Sequence, residues 1–457
     1  MTGDSTVQTT YLPANWAELN PEQKRKVRLD NFVSGKGINF ISAEAKKAFQ
    51  IRAKRLADAY NIEEPDRVPI NTPLGNLPYI INGVSMRTVM YDYNQAIDAC
   101  KKFNEKYSEL LEGFADPMIN SGRIMELLDY KLYSWPGHGL PLESPGIQFI
   151  EGEYMKAEEY DDLIVDPSDF WFRTHLPRVY GTFSPFGLLR PATDLIEINS
   201  LIHFDPFAKS SMQETLSKLA EVGREIQKLK DALDSYINGT EAGFPPAFGG
   251  VFAKAPFDTL GDTLRGTSNI MKDLYRRPEK VLAACDKIAD ITIRSILKSP
   301  GLEKQFMAIY PLHKGADGWM SQKQFETFYW PSLKKVMNAL INEGLIQSMF
   351  AEGSFNTRLE SVNEFPKGTV VWMFDQTDIF RAKNILGNKC CIKGNVPSSM
   401  IVTGSSADVK NYCRKLIENC GKGGGYVLGA GAIAENPKLE NLLAMVAAVK
   451  EYGAYKK

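Results

Sequence analysis

Short apolar runs alternate with longer segments of helical periodicity along most of this sequence. Val370–Phe374 is the clearest run, because every one of its residues is apolar. An uninterrupted apolar run is typical of a strand that is buried on both faces, as the strands of parallel sheets are. The candidate strands are Val68–Asn71, Tyr130–Ser134, Phe248–Ala253, Phe306–Leu312, Ile346–Ala351, Val370–Phe374, Cys390–Ile392 and Tyr426–Leu428.

The alternation of these strands with helical segments predicts an α/β fold. Eight parallel strands indicate a (β/α)8 barrel of the TIM type; a doubly wound sheet is the alternative, because a strand count does not establish closure. A barrel needs about 250 residues, which is far fewer than the 457 present. We therefore expect a helical N-terminal extension over residues 1–65 and a single barrel domain over 66–457, with an insertion at about 137–240.

The last part of the predicted insertion has the pattern of one long helix. A capping box begins at Ser211, and Asn238-Gly239 is a stop signal. Packing of its apolar stripe on the barrel is one interpretation, and packing against a second copy of the chain in a homodimer is the other. The stripe consists of Met212, Leu216, Leu219, Val222, Ile226, Leu229, Leu233 and Ile237.

Charge and cysteine usage exclude several classes of protein. The 54 Lys and Arg residues nearly balance the 55 Asp and Glu residues, so the basic excess of a nucleic-acid-binding protein is missing. No uncharged apolar run reaches the ~18 residues of a membrane span, and the polar segment Met1–Thr10 lacks the apolar core of a secretory signal. The six cysteines form no Cys-x-x-Cys pair. We therefore expect a cytoplasmic protein with reduced thiols and no contact with membranes or nucleic acids.

In a barrel of this type, function lies at the carboxyl ends of the strands. Polar residues follow four of the predicted strands: His313 and Asp317, then Glu352, then Asp375 and Asp378, then Asn395. Glu352, His313 and Asp375 are the catalytic candidates. Asp317, Asp378 and Asn395 are candidates for substrate binding, together with His138 at the start of the insertion.

Each candidate also has a structural alternative. Glu352 follows an apolar run, so we expect a partly buried carboxyl group with a raised pKa that acts as a general acid, assisted by His313. A single histidine is more often a hydrogen-bonded structural residue than a ligand. Asp375 and Asp378 are also suited to cap the helix that follows them.

About 200 residues at the C-terminal end resemble the uroporphyrinogen decarboxylase superfamily. The resemblance rests on short motifs that occur in the same order, and it implies a (β/α)8 barrel. The motifs include Ala255-Pro256-Phe257-Asp258, Asp317-Gly318-Trp319-Met320-Ser321, Phe374-Asp375, and Lys393-Gly394-Asn395-Val396-Pro397.

The superfamily implies two activities, and the sequence departs from both. One activity is the removal of carboxyl groups from the four acetate side chains of uroporphyrinogen, but the arginine motif of those enzymes does not follow Val68–Asn71. The other is methyl transfer to or from a corrinoid on a partner protein, usually with zinc held by a His-x-Cys motif and a Gly-Cys-Gly turn. Here the matching stretches read Ala351-Glu352-Gly353 and Gly429-Ala430-Gly431, so zinc is doubtful and no metal ligand is assigned.

The sequence thus leads to a methyltransferase that moves a methyl group from a small methylated ether, amine or thioether to a corrinoid protein. One alternative is a uroporphyrinogen decarboxylase-type enzyme, in which Asp375 or Asp378 faces the pyrrole N–H groups of a tetrapyrrole. Its site would require clustered arginines, with Arg178, Arg190 and Arg265 as candidates. A second alternative is a non-catalytic barrel that binds a small molecule.

Overall fold

The strand Val370–Phe374, with all of its residues buried, lies inside a six-stranded parallel sheet. The computed structural model describes residues 10–115, 117–194, 197–240, 243–246, 250–434 and 436–455. The strand order in the large sheet is β4-β5-β6-β7-β8-β9, and β1 to β3 form a small separate sheet. The strands are β1 (Tyr133–Pro136), β2 (Gly139–Leu140), β3 (Gln148–Phe149), β4 (Val251–Phe252), β5 (Met307–Leu312), β6 (Ile346–Ala351), β7 (Val370–Phe374), β8 (Cys391–Lys393) and β9 (Tyr426–Val427).

Backbone hydrogen bonds continue the large sheet past β9 and around most of a ring. Asn71 N donates to Leu428 O at 2.9 Å, and Glu112 N donates to Ile70 O at 3.0 Å. Phe114 N then donates at 3.2 Å to the carbonyl of Pro245, a few residues before β4. Two short segments, one at 68–71 and one at 110–115, therefore occupy the ring positions between β9 and β4.

The prediction of a barrel strand at Tyr130–Ser134 is wrong. Tyr130 makes only an isolated bridge to Tyr180, and β1 begins at Tyr133 in the small sheet. The position beside segment 68–71 is taken by the segment 110–115, which pairs with it through one antiparallel bridge between Asn71 and Leu111. The apolar run of this segment is interrupted by Glu112. The Glu112 side chain is buried against two arginines, at 2.6 Å from Arg55 and 2.8 Å from Arg67. The ion pairs allow this carboxylate to be buried inside the segment. Because the charged residue interrupts the apolar run, a search for apolar runs does not find the segment.

Helices follow β4, β5, β7, β8 and β9, as the strand–helix alternation predicts. The connection from β6 to β7 differs, because residues 352–369 form turns and contain no helix. The short helix Pro256–Asp258 continues as a π-helix over Thr259–Arg265. Part of the predicted strand Phe248–Ala253 lies outside the described residues. The helices of five or more residues with α geometry are Pro21–Ser34, Ala43–Tyr60, Leu77–Ile81, Met86–Tyr91, Tyr93–Lys106, Gly122–Leu128, Tyr160–Val165, Ser210–Thr240, Thr267–Arg276, Pro278–Leu297, Trp330–Asn342, Ile379–Leu386, Ser398–Thr403, Ser406–Leu416 and Leu439–Tyr452.

The first two helices seal one end of the barrel. We call Pro21–Ser34 α1 and Ala43–Tyr60 α2. Phe32 of α1 stacks on Phe306 with 4.1 Å between the ring centroids. Phe49 and Leu56 of α2 belong to the same buried cluster, together with the first residues of several strands: Met307, Ile346, Val371, Cys391 and Val427. The amino ends of the strands are therefore covered, and their carboxyl ends remain as the open side.

The long helix Ser210–Thr240 packs largely on its own chain. Met212, Val222 and Tyr236 of this helix are buried, whereas Leu216 and Ile226 are partly exposed. The Tyr236 hydroxyl accepts a hydrogen bond from Asn104 Nδ2 at 2.8 Å. Contacts within the same chain thus bury part of the apolar stripe of this helix. The homodimer that the rest of the stripe could form stays a prediction. The predicted domain boundaries also stay a prediction. None of the helices in the described ranges combines the length and apolar character of a membrane span.

We expect Phe49→Ala to lower the free energy of unfolding by about 3–5 kcal/mol, because it leaves a cavity in the sealed end of the barrel. Phe49 is 1% exposed. Ile41→Ala, just before α2, is the control: Ile41 is 76% exposed, so its change should stay within about 0.5 kcal/mol. Urea denaturation measures both values. Equal effects of the two substitutions would contradict the sealing role of Phe49.

Candidate active site at the barrel mouth

A cavity of about 390 Å³ opens inside the barrel between the strands. The register aligns Pro311 of β5 with Phe350 of β6, Phe350 with Met373 of β7, and Met373 with Lys393 of β8. All four residues line the cavity. Most of the remaining wall is apolar and includes Leu111, Phe114, Phe252 and Ile309.

Lys393 is the one charged residue among the described residues that line this cavity. It is 7% exposed, and burial lowers the pKa of its amine to about 8, against an opposing effect of Cys391. Lys393 was not among the predicted site residues, because the strand was expected to end at Ile392, one residue earlier. A signal was present, since Lys393 begins the motif Lys393-Gly394-Asn395-Val396-Pro397 that contains the candidate Asn395.

Charged side chains gather just above the cavity wall. Lys254, His313 and Glu352 each follow a cavity-lining residue by two positions on adjacent strands or their extensions. Residues two apart in extended chain point to the same side. His313 Nδ1 lies 2.8 Å from Asp262 Oδ2, a geometry in which the ring N–H donates to the carboxylate. On the other side, His313 Nε2 lies 3.5 Å from Glu352 Oε2.

Asp262 is the centre of this cluster. Lys254 Nζ lies 2.9 Å from its Oδ2, and Lys314 Nζ lies 2.8 Å from its Oδ1. Burial acts to raise the pKa of Asp262, but the hydrogen bonds and charges of His313, Lys254 and Lys314 outweigh burial and hold that pKa far below its ordinary value. Asp262 is therefore a fixed negative charge. It lies on the π-helix Thr259–Arg265, away from any strand end, and the strand-end rule could not select it.

The hydrogen bond to Asp262 raises the pKa of His313 above its ordinary value of 6.5. Burial acts in the opposite direction, and the charges of Asp258, Asp262 and Glu352 add to the increase. The imidazole therefore retains its proton further into the neutral range. A protonated ring held at Nδ1 by a carboxylate has Nε2–H left to donate, which is the arrangement of a general acid.

Asp258 fixes the loop that carries His313. Its buried carboxylate accepts hydrogen bonds from the backbone N–H groups of His313 at 3.0 Å and Lys314 at 2.8 Å, and from the Tyr329 hydroxyl at 2.7 Å. Burial raises the pKa of Asp258, and the nearby charge of Asp262 raises it further. Asp258 and Asp262 lie four residues apart, on one face of a continuous helical segment. From that face, Asp258 holds the backbone N–H of His313 and Asp262 holds its imidazole ring.

The expectation that Glu352 is partly buried is wrong. Its side chain is 53% exposed, and it lies one residue past the end of β6 at Ala351. Glu352 still lies beside His313 at the predicted site.

The other predicted residues mostly brace loops. Asp378 caps the helix Ile379–Leu386 by accepting hydrogen bonds from Phe380 N at 3.0 Å and Arg381 N at 3.1 Å. This agrees with the capping alternative. Asp375 does not cap this helix, and its Oδ2 accepts a hydrogen bond from Gly353 N at 3.1 Å. Both contacts hold backbone near the mouth.

Asp317 and Asn395 are also engaged with neighbouring loops. Asp317 accepts hydrogen bonds from the hydroxyls of Ser354 at 2.8 Å and Thr357 at 2.7 Å. Asn395 Nδ2 donates to the carbonyl of Thr377 at 2.9 Å, while its Oδ1 is buried without a hydrogen bond from the described residues.

His138 lies at the small sheet. Its Nε2 is 2.8 Å from Glu126, and its ring stacks on Trp135 with 4.6 Å between the centroids. The structure does not join His138 to the cluster around His313 through any described hydrogen bond or ion pair. Its assignment to substrate binding stays a prediction.

The described residues do not fit the zinc site of the family pattern. Catalytic zinc takes about three protein ligands, and no group of three His, Cys, Asp or Glu side chains in the described ranges is arranged to hold a metal. The six cysteines are all buried and form no disulfide. Burial also raises the pKa of Cys391 to about 12, which disfavours the thiolate form that binds metals.

Comparison with known proteins identifies the family. Residues 207–452 match the family described as uroporphyrinogen decarboxylase (URO-D), which is more than half of the chain. The chain belongs to the uroporphyrinogen decarboxylase family. The resemblance drawn from the short motifs is thereby confirmed, and membership in this family supports an enzyme.

Individual relatives are distant. The chain is 27% identical over 195 residues to a protein named uroporphyrinogen decarboxylase from Syntrophotalea carbinolica, covering 41% of this chain and 54% of that protein. A protein of the same name from Geobacter metallireducens is 25% identical over 204 residues, covering 44% and 58%. The chain thus spans about half the length of these curated relatives.

The fold is shared more widely than the sequence. A solved methyltransferase from Methanosarcina mazei superposes with a TM-score of 0.55 at 14% identity, covering 88% of this chain and 98% of that one. At this identity the match shows the fold. Together with the family match and the six-stranded parallel sheet, it confirms the prediction of a TIM-type (β/α)8 barrel.

We expect nuclear magnetic resonance titration to place the pKa of His313 above 6.5, and Asp262→Asn to lower it, because the substitution removes the charged acceptor while burial remains. A folded-state pKa above the unfolded value stabilises the protein below about pH 6.5, and that contribution is lost as the pH rises through the folded-state pKa. Asp262→Asn should remove it. His313→Gln assigns the signal, and an unchanged pKa in Asp262→Asn would contradict the pairing.

We expect elemental analysis of protein purified without chelators to find well under one zinc per chain. The reason is the absence of cysteine or histidine at Ala351, Gly353 and Ala430. Stoichiometric zinc that is lost in a His313→Gln, Glu352→Gln double variant would refute this prediction and would locate the metal at the mouth.

Proposed function

We propose that the chain is a methyltransferase that moves a methyl group from a small methylated ether, amine or thioether to a corrinoid on a partner protein. The observation that carries the proposal is the position of His313, a histidine with a raised pKa, above a largely apolar cavity. The cavity is suited to an uncharged methyl donor, and the histidine is suited to protonate the group that the methyl leaves behind.

Protonation is the chemistry that such a transfer requires. Loss of a methyl cation leaves an ether oxygen, an amine nitrogen or a thioether sulfur with an extra electron pair, and a proton delivered to that pair makes it a better leaving group. The reduced cobalt of a bound corrinoid supplies the methyl acceptor. In this chain, His313 holds the proton at Nε2, and Asp262 orients the ring through Nδ1.

Glu352 and the lysines have supporting roles. Glu352 lies 3.5 Å from His313 Nε2 and is exposed, so it can return a proton from water to the imidazole after each turnover. Lys254 and Lys314 keep Asp262 charged. Asp375 and Asn395, which follow β7 and β8, are proposed to contact substrate at the mouth.

The insertion reaches the same region. Met155 N donates at 2.8 Å to the carbonyl of Leu264, on the helix that carries Asp262. Lys314 Nζ donates at 3.0 Å to Thr267, whose backbone N–H is bound by Glu151. The segment 151–155 thus packs beside the charged cluster, where it can limit access of water to the reaction.

The decarboxylase alternative receives its support from the names of the curated relatives. It requires several cations for the acetate groups, whereas the described cavity lining has Lys393 alone. Arg178 is paired with Glu159 at 2.6 Å, and Arg265 with Asp273 at 2.6 Å. Arg190 lines a separate cavity in the insertion. A decarboxylation assay with uroporphyrinogen tests this alternative directly.

We expect the chain, mixed with a reduced corrinoid protein and a panel of methylated ethers, amines and thioethers, to change the cobalt absorbance with at least one donor. His313→Gln should lower the rate by ~10²-fold or more, because the proton donor is lost. Glu352→Gln should lower it less, because water can replace an exposed relay.

Glu360→Gln is the matched control, since Glu360 is 61% exposed and paired with Arg381 beyond the mouth. Its rate should equal that of the wild-type protein. No absorbance change with any donor, or full activity in His313→Gln, would count against the proposal. Melting temperatures of the same preparations separate loss of activity from loss of structure.

A further inference from the structure

A serine lies at the sealed end of the cavity, which we call its floor. Ser348 of β6 lines the cavity and is paired in register with Ile309 of β5 and Val371 of β7. Val371 belongs to the buried cluster that α1 and α2 seal, and Ile309 packs against that cluster. Ser348 therefore lies below Pro311 and Phe350, which line the cavity two residues further along β5 and β6.

Ser348 presents the accessible hydroxyl of the described lining. The side chains of that lining with a polar atom are those of Thr72, Ser348 and Lys393. The Thr72 hydroxyl oxygen is buried, so a ligand reaches it only after the side chain rotates. Lys393 has an interaction of its own within the chain. Ser348 is only partly buried, and its hydroxyl makes no hydrogen bond with the described residues.

The chemistry of the floor favours an uncharged oxygen. A hydroxyl in an apolar enclosure is costly unless it is hydrogen-bonded, because burial removes its bonds to water. The walls above Ser348 are apolar and include Phe114, Phe350 and Met373. A serine hydroxyl donates one hydrogen bond and accepts others, so it can pair with the oxygen of an alcohol or a carbonyl group.

The two strands that meet at the floor also lead to the histidine of the mouth. His313 follows Ile309 by four residues, and Glu352 follows Ser348 by four residues. At about 3.3 Å per residue, the floor and the mouth are about 13 Å apart along the strands. A hydrogen bond of about 3 Å at each end leaves about 7 Å between the two polar atoms of a molecule that spans the cavity.

We propose that Ser348 hydrogen-bonds an uncharged oxygen of the methyl donor at the floor, while the methylated atom of the donor lies beside His313. The donor is then an elongated uncharged molecule with a hydroxyl or carbonyl oxygen about 7 Å from its methylated atom. The place of the methylated atom rests on the proposed function, whereas the oxygen site at Ser348 does not. Ser348 is a specificity-determining residue rather than a catalytic one.

Calorimetric binding tests the oxygen site without any turnover. The probes are 5-methoxypentan-1-ol and 1-methoxyhexane, which have the same length and differ only by a hydroxyl in place of a methyl group. Ser348→Ala should weaken binding of the alcohol by about 2- to 10-fold, which corresponds to the loss of one uncharged hydrogen bond. Binding of the ether without the hydroxyl should stay within about twofold, because it makes no such bond.

Ser217→Ala is the matched control, because Ser217 is exposed on the long helix Ser210–Thr240 and lies outside the described cavity lining. Both affinities should equal those of the wild-type protein, and melting temperatures establish that each variant is folded. Equal changes of the two affinities in Ser348→Ala, an unchanged affinity for the alcohol, or a wild-type protein that binds neither probe would overturn the inference.

Turnover separates this inference from the proposed function. With a reduced corrinoid protein, 5-methoxypentan-1-ol should transfer its methyl group, and Ser348→Ala should raise KM more than it lowers kcat, because His313 is unchanged. Binding of the alcohol that depends on Ser348 without any methyl transfer would contradict the proposed function alone. Methyl transfer with the same KM in Ser348→Ala as in the wild-type protein would contradict the inference alone.

Discussion

The barrel depends on a buried carboxylate that joins three parts of the chain. Glu112 lies between Arg55 of α2 and Arg67, at 2.6 Å and 2.8 Å, and its own N–H continues the ladder to Ile70. One side chain therefore ties the sealing helix to the segment 110–115, which continues the ring through an antiparallel bridge to Asn71. Loss of one partner from a buried ion pair typically costs about 3–5 kcal/mol. Both the closed end of the cavity and the last positions of the ring rely on this contact.

Sequence patterns predicted the parts of the fold that rest on local chemistry. The runs at β5, β6 and β7 are continuous and apolar because both faces of these strands are buried, and their predicted bounds are nearly those observed. The segment 110–115 was not predicted, because a long-range ion pair permits a glutamate inside this buried element and interrupts its apolar run. Conversely, Tyr130–Ser134 is rich in aromatic residues, but its rings pack within the insertion, as the stacking of Tyr130 on Tyr180 shows.

The candidate site was likewise predicted only in part. The strand-end rule selected His313 and Glu352, which the structure brings within 3.5 Å of each other. It could not select Asp262, because that residue reaches His313 from a helix 51 residues earlier in the chain. Lys393 was missed because the predicted strand ended at Ile392, whereas the observed strand includes Lys393 as its last residue. A turn directly after Glu352 could be expected from Gly353, whose φ is 77°, a conformation that favours glycine. The exposure of the Glu352 side chain depends on how the surrounding loops pack, which no local pattern in the sequence gives.

The sealed end of the barrel also has a kinetic consequence. Because α1 and α2 close the amino ends of the strands, the cavity is left open toward the carboxyl ends. If the chain transfers a methyl group to a partner protein, as proposed, that partner must sit over the opening that a small molecule uses to enter. The two reactants would then bind in a compulsory order, with the small molecule first. An excess of the protein partner would slow the reaction, because a partner bound over the empty cavity blocks entry of the small molecule.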